Sequence, residues 1–259
     1  MSMVGKTVVV TGAASGIGAA TARLMKSAGA TVIGLDRARI SGDVDQAIEY
    51  DQSDESSIDL AASKIDGPID ALCNVAGVAM SEPPPTVLKI NFLGLRHLTE
   101  TLLPKFKRHS AVVSLASIGG MSWRENLDEV KALMAVASVG DAEQFCLDHR
   151  VEPTLSYKLT KECVVVWTMA NALDQADRDI RFNCVSPGPV ESPLYYNAVA
   201  AAGERGQAIA AKSRRIAEPE EIAEVLVYLC GDRSGWVNGA NVPIDGGLSC
   251  LFLREQLEF

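Results

Sequence analysis

A doubly wound α/β fold, one parallel sheet covered by helices on both faces, is the class this sequence predicts, on three observations. Short β-branched runs recur along the chain with helical spacing between them, the pattern of βαβ units. The runs are apolar almost throughout, as strands buried on both faces are. Small or polar residues follow each run, at the strand ends where ligands of such sheets sit. With 259 residues, 47% hydrophobic and 22% charged, the chain can bury a sizeable core. No linker, repeat or low-complexity stretch divides it, so a single domain over residues 1–259 is expected.

The elements follow in order. Lys6–Thr11 is the first strand run and leads into a glycine-rich turn. Ile17, Ala20 and Leu24 space a helix over Ile17–Ala28, and Gly29 suits its left-handed C-terminal cap. Thr31–Leu35 is a second strand run, ending at Asp36, and Ala71–Val75, Ala111–Ala116, Ile180–Val185 and Asn241–Ile244 are the others. Helices are expected over roughly 86–107, 155–175 and 218–230. Residues 119–155 carry two short helical patterns broken near Gly140. Leu127, Val130, Leu133 and Met134 share one apolar face of the first; Asp141–Arg150 forms the second, capped by Asp141 and ending before Pro153. The Ala- and Gly-rich stretch 191–212 reads as a mobile lid.

A net charge of −9 argues against nucleic acid and anionic membrane as partners. No apolar stretch approaches the roughly 18 residues of a membrane span. No basic segment with an apolar run opens the chain, so a cytoplasmic protein is expected. The six cysteines are scattered without a C-x-x-C pair, and Cys73, Cys163 and Cys184 lie in apolar runs, which predicts buried free thiols rather than a disulfide framework. His97, His109 and His149 lack metal-ligand spacing, and no metal is expected.

Residues 11–18 read Thr-Gly-Ala-Ala-Ser-Gly-Ile-Gly, between a strand run and a helix. In that context Gly12 permits the sharp turn, Gly16 lets backbone amides approach a pyrophosphate, and Gly18 lets helix and sheet pack closely. The helix N-terminus then faces the phosphates. A Rossmann-type dinucleotide site follows. Asp36, eighteen residues past Gly18, can accept hydrogen bonds from an adenosine ribose and repels a 2′-phosphate, so NAD is expected over NADP. Ala14 and Ser15 supply no basic side chain for that phosphate; Arg37 is expected to stack near the adenine, with a grip on a 2′-phosphate as the alternative.

Tyr157 and Lys161 are four residues apart on one helical face. A tyrosine is about one part in a thousand ionised at pH 7, and lowering its pKa by about three units needs on the order of 4 kcal/mol. One ammonium about 4 Å away supplies about that much at an effective dielectric near 20. The sequence therefore predicts a Tyr157 whose pKa Lys161 depresses, able to act as base on an alcohol or acid on a carbonyl. Alone, such a pair is a common accident of helices; beside the glycine turn it points to hydride chemistry.

These residues resemble the short-chain dehydrogenase/reductase family over nearly the whole chain. Thr11-Gly12-x-x-x-Gly16-Ile17-Gly18, with Ser15 inside it, is similar to its cofactor turn. Asn74-Val75-Ala76-Gly77 resembles its Asn-x-Ala-Gly segment beside the cofactor, and Asp51-Gln52 its adenine-contacting acidic position. Asn91 resembles the helix asparagine of a proton relay through Lys161. Ser117 resembles the serine that holds the substrate oxygen, with Ser114 at a structural position. Pro187-Gly188-Pro189-Val190 and Ser192 resemble the nicotinamide loop, where threonine is usual at the last position. The resemblance implies a catalytic set of Asn91, Ser117, Tyr157 and Lys161, with Tyr157 and Lys161 also touching the cofactor, and a small-molecule alcohol, ketone or aldehyde as partner.

The stretch from Ser117 to Tyr157 is longer than most of the family has, which implies a helical insertion over about 119–155 before the tyrosine helix. Two branches with a similar insertion act on coniferyl alcohol and on 3α-hydroxysteroids. Ile69–Val78, Tyr157–Trp167 and Trp236–Gly239 resemble the first more, so an aromatic allylic alcohol is expected and a hydroxysteroid is the alternative. Met121, Trp123, Leu194, Tyr195 and Tyr196, with Ser117 and Tyr157, are the expected substrate contacts; for Trp123, packing of the insertion is an equal reading. Many relatives associate through the helices carrying the asparagine and the tyrosine. A homo-oligomer, dimer or tetramer, is expected, although an insertion beside those helices would obstruct that contact. Two further alternatives are an NADPH-dependent carbonyl reductase and, from another class, a non-catalytic NAD(H)-sensing protein.

Overall fold

The structure, a computed structural model, describes residues 2–257. Its seven strands are β1 (Thr7–Thr11), β2 (Thr31–Asp36), β3 (Gln46–Glu49), β4 (Ile69–Asn74), β5 (Phe106–Leu115), β6 (Arg181–Pro187) and β7 (Asn241–Ile244). They form one sheet in the order β3-β2-β1-β4-β5-β6-β7, and each neighbouring pair is parallel. The chain steps outward from β1 in one direction, then returns and steps outward in the other. That reversal between β1 and β4 opens the crevice in which ligands of doubly wound sheets bind.

The apolar strand runs are explained by burial on both faces. Val9, Leu72 and Val112 belong to one core cluster, and their neighbours Val8, Val10, Ala71, Cys73 and Val113 to the other. Successive side chains point to opposite faces, so a strand covered on both sides needs apolar residues at every position. One face is covered by α1 (Gly16–Ser27) and α9 (Pro219–Cys230), through Ala22, Met25, Ile222 and Leu226. The other is covered by α2 (Glu55–Ser63), α4 (Gly94–Leu102) and α7 (Pro153–Asp174), through Ile58, Leu95, Leu98, Val164 and Val165. A short α3 (Pro84–Leu88) and a π-helical turn (Lys89–Leu93) precede α4 without a break.

Several boundaries differ from expectation. The helix expected to reach residue 107 ends at Leu102, and β5 begins at Phe106. Pro104, between them, has no amide to continue a helix. The unexpected β3 is an outer strand in which only Ile48 is buried, so it lacks an apolar pattern. The equally unexpected α2 is capped by Asp54, whose carboxylate accepts from Ser56 N at 3.0 Å. At the end of α1, Gly29 sits at φ +94, the left-handed conformation its position calls for.

Residues 118–148 form 3₁₀ turns and two helices, α5 (Leu127–Met134) and α6 (Ala142–Asp148). Val130 and Leu133 are buried in the same cluster as α4 and α7, with Met134 packed against it. Arg96 of α4 donates to the carbonyls of Met134 at 2.9 Å and Val136 at 2.6 Å, capping the end of α5. The segment therefore lies on the α4–α7 face. Asp141 does not cap α6 with its side chain; its carboxylate turns back to accept from Ser138 N at 3.1 Å. Residues 193–212 form α8, broken at Gly203, whose φ of 56° and ψ of −135° are not helical, and α10 (Leu248–Gln256) follows β7. No helix is long and apolar enough to cross a membrane among the described residues.

Candidate active site

Around the end of β1 the glycines are required by close approach. A side-chain carbon on Gly18 would overlap the Gly12 carbonyl oxygen, and one on Gly12 would lie 3.0 Å from the Ala76 backbone. Thr11 Oγ1 accepts from Val75 N at 2.9 Å and Ala76 N at 3.0 Å, stitching the ends of β1 and β4 together. Helix α1 opens after Ser15 with no side-chain cap and no acidic residue in its first turn. Its N-terminal amides are left for an external acceptor, and an anion is favoured there. Gly16 has open space before it, with Ser192 Cβ 3.9 Å from the position of a Cβ, so the turn and the 188–192 loop face each other.

Asp36 ends β2 beside this turn. Its carboxylate accepts from Ala14 N at 3.0 Å and Ala38 N at 2.9 Å, which leaves lone pairs for further donors. Arg37 is exposed. Asp51 is exposed and accepts from Ser53 N at 2.8 Å. Gln52 is buried, and its amide is taken up by the Tyr50 hydroxyl and the Ile90 carbonyl, so its side chain braces the site from behind. Asn74 is buried as well: its amide nitrogen donates to Thr99 Oγ1 at 3.0 Å and Ser114 Oγ at 3.3 Å. Ser114 is thereby bound to the sheet, away from Tyr157. On the far side, Gly188 N donates to Ile244 O at 3.0 Å, Val190 is buried, and Ser192 Oγ accepts from Tyr195 N at 3.2 Å.

Ser117, just past β5, accepts from Gly119 N at 3.2 Å and lies near enough to Tyr157 on α7 for its hydroxyl to favour the ionised phenol. One turn further, Lys161 is only 4% exposed. Its Nζ lies 5.6 Å from the Tyr157 ring centroid and donates to the Leu115 carbonyl at 2.9 Å. Asn91 lies in the π-helical turn, a distortion that recurs at functional sites, and grips Val78 with both ends of its amide, at 2.8 and 2.9 Å. A Cβ on Gly77 would sit 3.1 Å from Asn91 Oδ1 and 3.8 Å from Lys161 Nζ, so these three positions converge.

The electrostatics differ from the expectation that Lys161 depresses the Tyr157 pKa. Burial raises the Tyr157 pKa above its usual value, and the nearby Ser117 hydroxyl opposes that only in part. Burial also lowers Lys161 from 10.5 to about 8. Both groups lose hydration of their charged forms, and at 5.6 Å from the ring the ammonium does not reverse it.

Of the expected substrate contacts, Met121 is exposed, and Leu194 and Tyr195 are half-buried. Trp123 packs against the core cluster, with the Arg124 guanidinium 4.2 Å above its ring. Tyr196 is 51% exposed and directs its hydroxyl to Glu191 at 3.0 Å. One buried group beside the site went unread in the sequence: Glu162, on α7 next to Lys161. A carboxylate leading into the apolar run Cys163-Val164-Val165-Val166-Trp167 was its available signal.

A Rossmann-type crevice with an open glycine turn, beside a serine–tyrosine pair and a buried lysine, defines a nucleotide-dependent oxidoreductase acting on alcohols or carbonyls. The short chain dehydrogenase family model matches residues 6–128, and the enoyl-(acyl carrier protein) reductase model matches residues 144–249. The chain is 38% identical to a coniferyl-alcohol dehydrogenase of a Pseudomonas species, over 98% of this chain and 100% of that protein. It is 26% identical to the 3-alpha-hydroxysteroid dehydrogenase/carbonyl reductase of Comamonas testosteroni, over 96% and 98% of the two chains. Among solved structures, the 3-alpha-hydroxysteroid dehydrogenase of Pseudomonas sp. B-0831, in complex with NADH, superposes with a TM-score of 0.84 at 30% identity, over 95% and 98% of the chains. The chain belongs to the short-chain dehydrogenase/reductase family.

Proposed function

We propose that this chain interconverts an aromatic allylic alcohol of the coniferyl type and its aldehyde, with NAD as hydride carrier. The observation that carries the substrate is the full-length similarity to a coniferyl-alcohol dehydrogenase. The uncapped α1 N-terminus and the unobstructed Gly16 fit a dinucleotide pyrophosphate. The Asp36 carboxylate beside that turn supports NAD, because it would repel a 2′-phosphate. When bound, NAD supplies nicotinamide C4 as hydride acceptor.

The chain's own residues supply positioning and proton transfer. Ser117 Oγ and Tyr157 Oη hold the alcohol oxygen, and Tyr157 takes its proton. Burial holds the Tyr157 proton on in the ligand-free protein, so ionisation needs added positive potential. Lys161, with a pKa of about 8, is still largely protonated at pH 7 and contributes part of that potential, and an oxidised nicotinamide ring would add the rest when bound. Asn91, locked on Val78 and adjacent to Lys161, carries the relay onward. Gly12, Ser15, Gly16, Ile17, Gly18, Ala76, Pro187, Gly188, Val190 and Ser192 form the walls of the cofactor cleft, and residues 191–212 close over the substrate.

A 3α-hydroxysteroid is the second reading, favoured by the hydroxysteroid dehydrogenase fold match. Initial rates of NAD and NADP reduction with coniferyl alcohol and a 3α-hydroxysteroid, with Tyr157→Phe as blank, decide between them. A rate on coniferyl alcohol supports the first reading, preference for the steroid replaces it, and retained turnover by Tyr157→Phe rejects the proton-transfer assignment. We further propose a cytoplasmic homo-oligomer, dimer or tetramer; a monomer mass by light scattering would reject the assembly.

A further inference from the structure

We infer that Glu162 is a positioning residue: its buried carboxylate holds the Ser122–Asn126 turn against α7 and so sets the substrate side of the active site. The inference rests on the proposed roles of Ser117 and Tyr157 at the reacting oxygen and on the sequence expectation that Met121 and Trp123 contact the substrate. The Glu162 side chain is 0% exposed. One carboxylate oxygen accepts from Ser122 Oγ at 3.1 Å and the other from Asn126 Nδ2 at 2.8 Å. Lys158 Nζ lies 3.6 Å away, one helical turn back. Both oxygens are thus spent on two side chains of the same turn, which flank Trp123.

The chain between Ser117 and that turn has no slack. A Cβ on Gly120 would lie 2.6 Å from the Lys161 carbonyl oxygen, so the backbone at Gly120 rests directly on α7. Residues 117–126 therefore touch α7 at three successive places: Ser117 on Tyr157, Gly120 on the Lys161 backbone, and Ser122 with Asn126 on Glu162. A buried carboxylate is a costly way to brace a helix, because it loses its hydration and is balanced only by well-placed donors. An apolar side chain would pack there at lower cost. What the carboxylate adds is a fixed orientation for the turn that carries Met121 and Trp123 toward the substrate.

The test uses the full chain with Glu162→Gln, Asn126→Ala and the double variant, on the alcohol the wild type turns over fastest and on benzyl alcohol as a small probe. For Glu162→Gln, KM for the preferred alcohol should rise about tenfold with kcat within about threefold and the NAD KM within about twofold. Preference over benzyl alcohol should fall by a similar factor. Asn126→Ala should move in the same direction, and the double variant should be no worse than Glu162→Gln. Equal losses on both alcohols with a raised NAD KM would reduce Glu162 to a general brace and overturn the inference, as would unchanged KM values. Hydrogen exchange provides a readout free of activity: amides of 118–126 must lose protection in both variants while those of α7 keep theirs. Unaltered protection there sinks the clamp whatever the substrate. Failure of the substrate reading, by contrast, appears in the wild type alone.

Discussion

Replacing Lys161 with methionine should abolish turnover and yet stabilise the ligand-free protein. Lys161 is 4% exposed, and its pKa falls from 10.5 to about 8 because burial strips the ammonium of water. Tenfold in proton affinity is about 1.4 kcal/mol, so holding the charge in the folded state costs about 3 kcal/mol at neutral pH. Methionine removes that cost but forfeits the bond to the Leu115 carbonyl, worth about 1–2 kcal/mol. The net expectation is a gain of about 1–2 kcal/mol at pH 7, or a few degrees in Tm for a chain of this size. The pH dependence has a definite sign. Between about 8 and 10.5 the unfolded lysine keeps a proton that the folded one has lost, so wild-type stability rises with pH across that window. The advantage of Lys161→Met should accordingly shrink by about 1.4 kcal/mol per pH unit there, vanish at about pH 9 and become a deficit of about 1–2 kcal/mol above the window, where only the lost hydrogen bond remains. Urea titrations followed by circular dichroism at pH 7, 8, 9 and 10 measure the difference directly, with contributions from other groups cancelling. A variant less stable than wild type by the same amount at every pH would show that the ammonium is well solvated where it lies, and the reasoning would fail.

Three other substitutions test the site. Tyr157→Phe should lower kcat by about a thousandfold while leaving NAD affinity nearly intact, measured by steady-state kinetics and NADH fluorescence titration. Asp36→Ala should narrow the preference for NAD over NADP by at least about tenfold in kcat/KM, and an unchanged ratio would remove Asp36 from cofactor selection. Gly18→Ala forces a methyl group into the Gly12 carbonyl oxygen and should cost about 3 kcal/mol of stability together with dinucleotide binding; wild-type denaturation and binding would contradict the packing described here.

The strands and glycine turn were legible because they are written locally. Both faces of the sheet are buried, so strands such as Val8-Val9-Val10 read as unbroken apolar runs, punctuated by the residues that end them. Strand β3 was not legible because it lies at the sheet margin and buries one residue of four. The helical segment that follows Asn91 stops short of what the spacing predicts: Phe106 prolongs the apolar pattern, but Pro104 marks the stop. At the site, Ser117 lies near Tyr157 while Ser114 takes a hydrogen bond from Asn74. The sign of the Tyr157 shift was not legible, because burial in the folded chain sets it and no window around the tyrosine reports that.

The same non-locality separates chemistry from selectivity in this chain. Ser117, Tyr157 and Lys161 are held by backbone and strand ends: Leu115 on β5 anchors the lysine, and Gly120 lets the chain lie on α7. Such contacts tolerate wide change elsewhere in the sequence, which is why the reaction class follows from family membership. The segment from Met121 to Asp148 is held instead by side chains, through Glu162 to Ser122 and Asn126, through Arg96 to the end of α5, and through Lys89 to Glu143 at 2.7 Å. Each of these partners comes from the π-helical turn, α4 or α7, and the first and last of these also carry Asn91, Tyr157 and Lys161. Under the proposed clamp, changing one of them would re-aim the proposed substrate wall while Lys161 keeps its bond to the Leu115 carbonyl. On the proposed reading, the contest between coniferyl alcohol and a steroid would be decided at the side chains that tie 121–148 to α4 and α7.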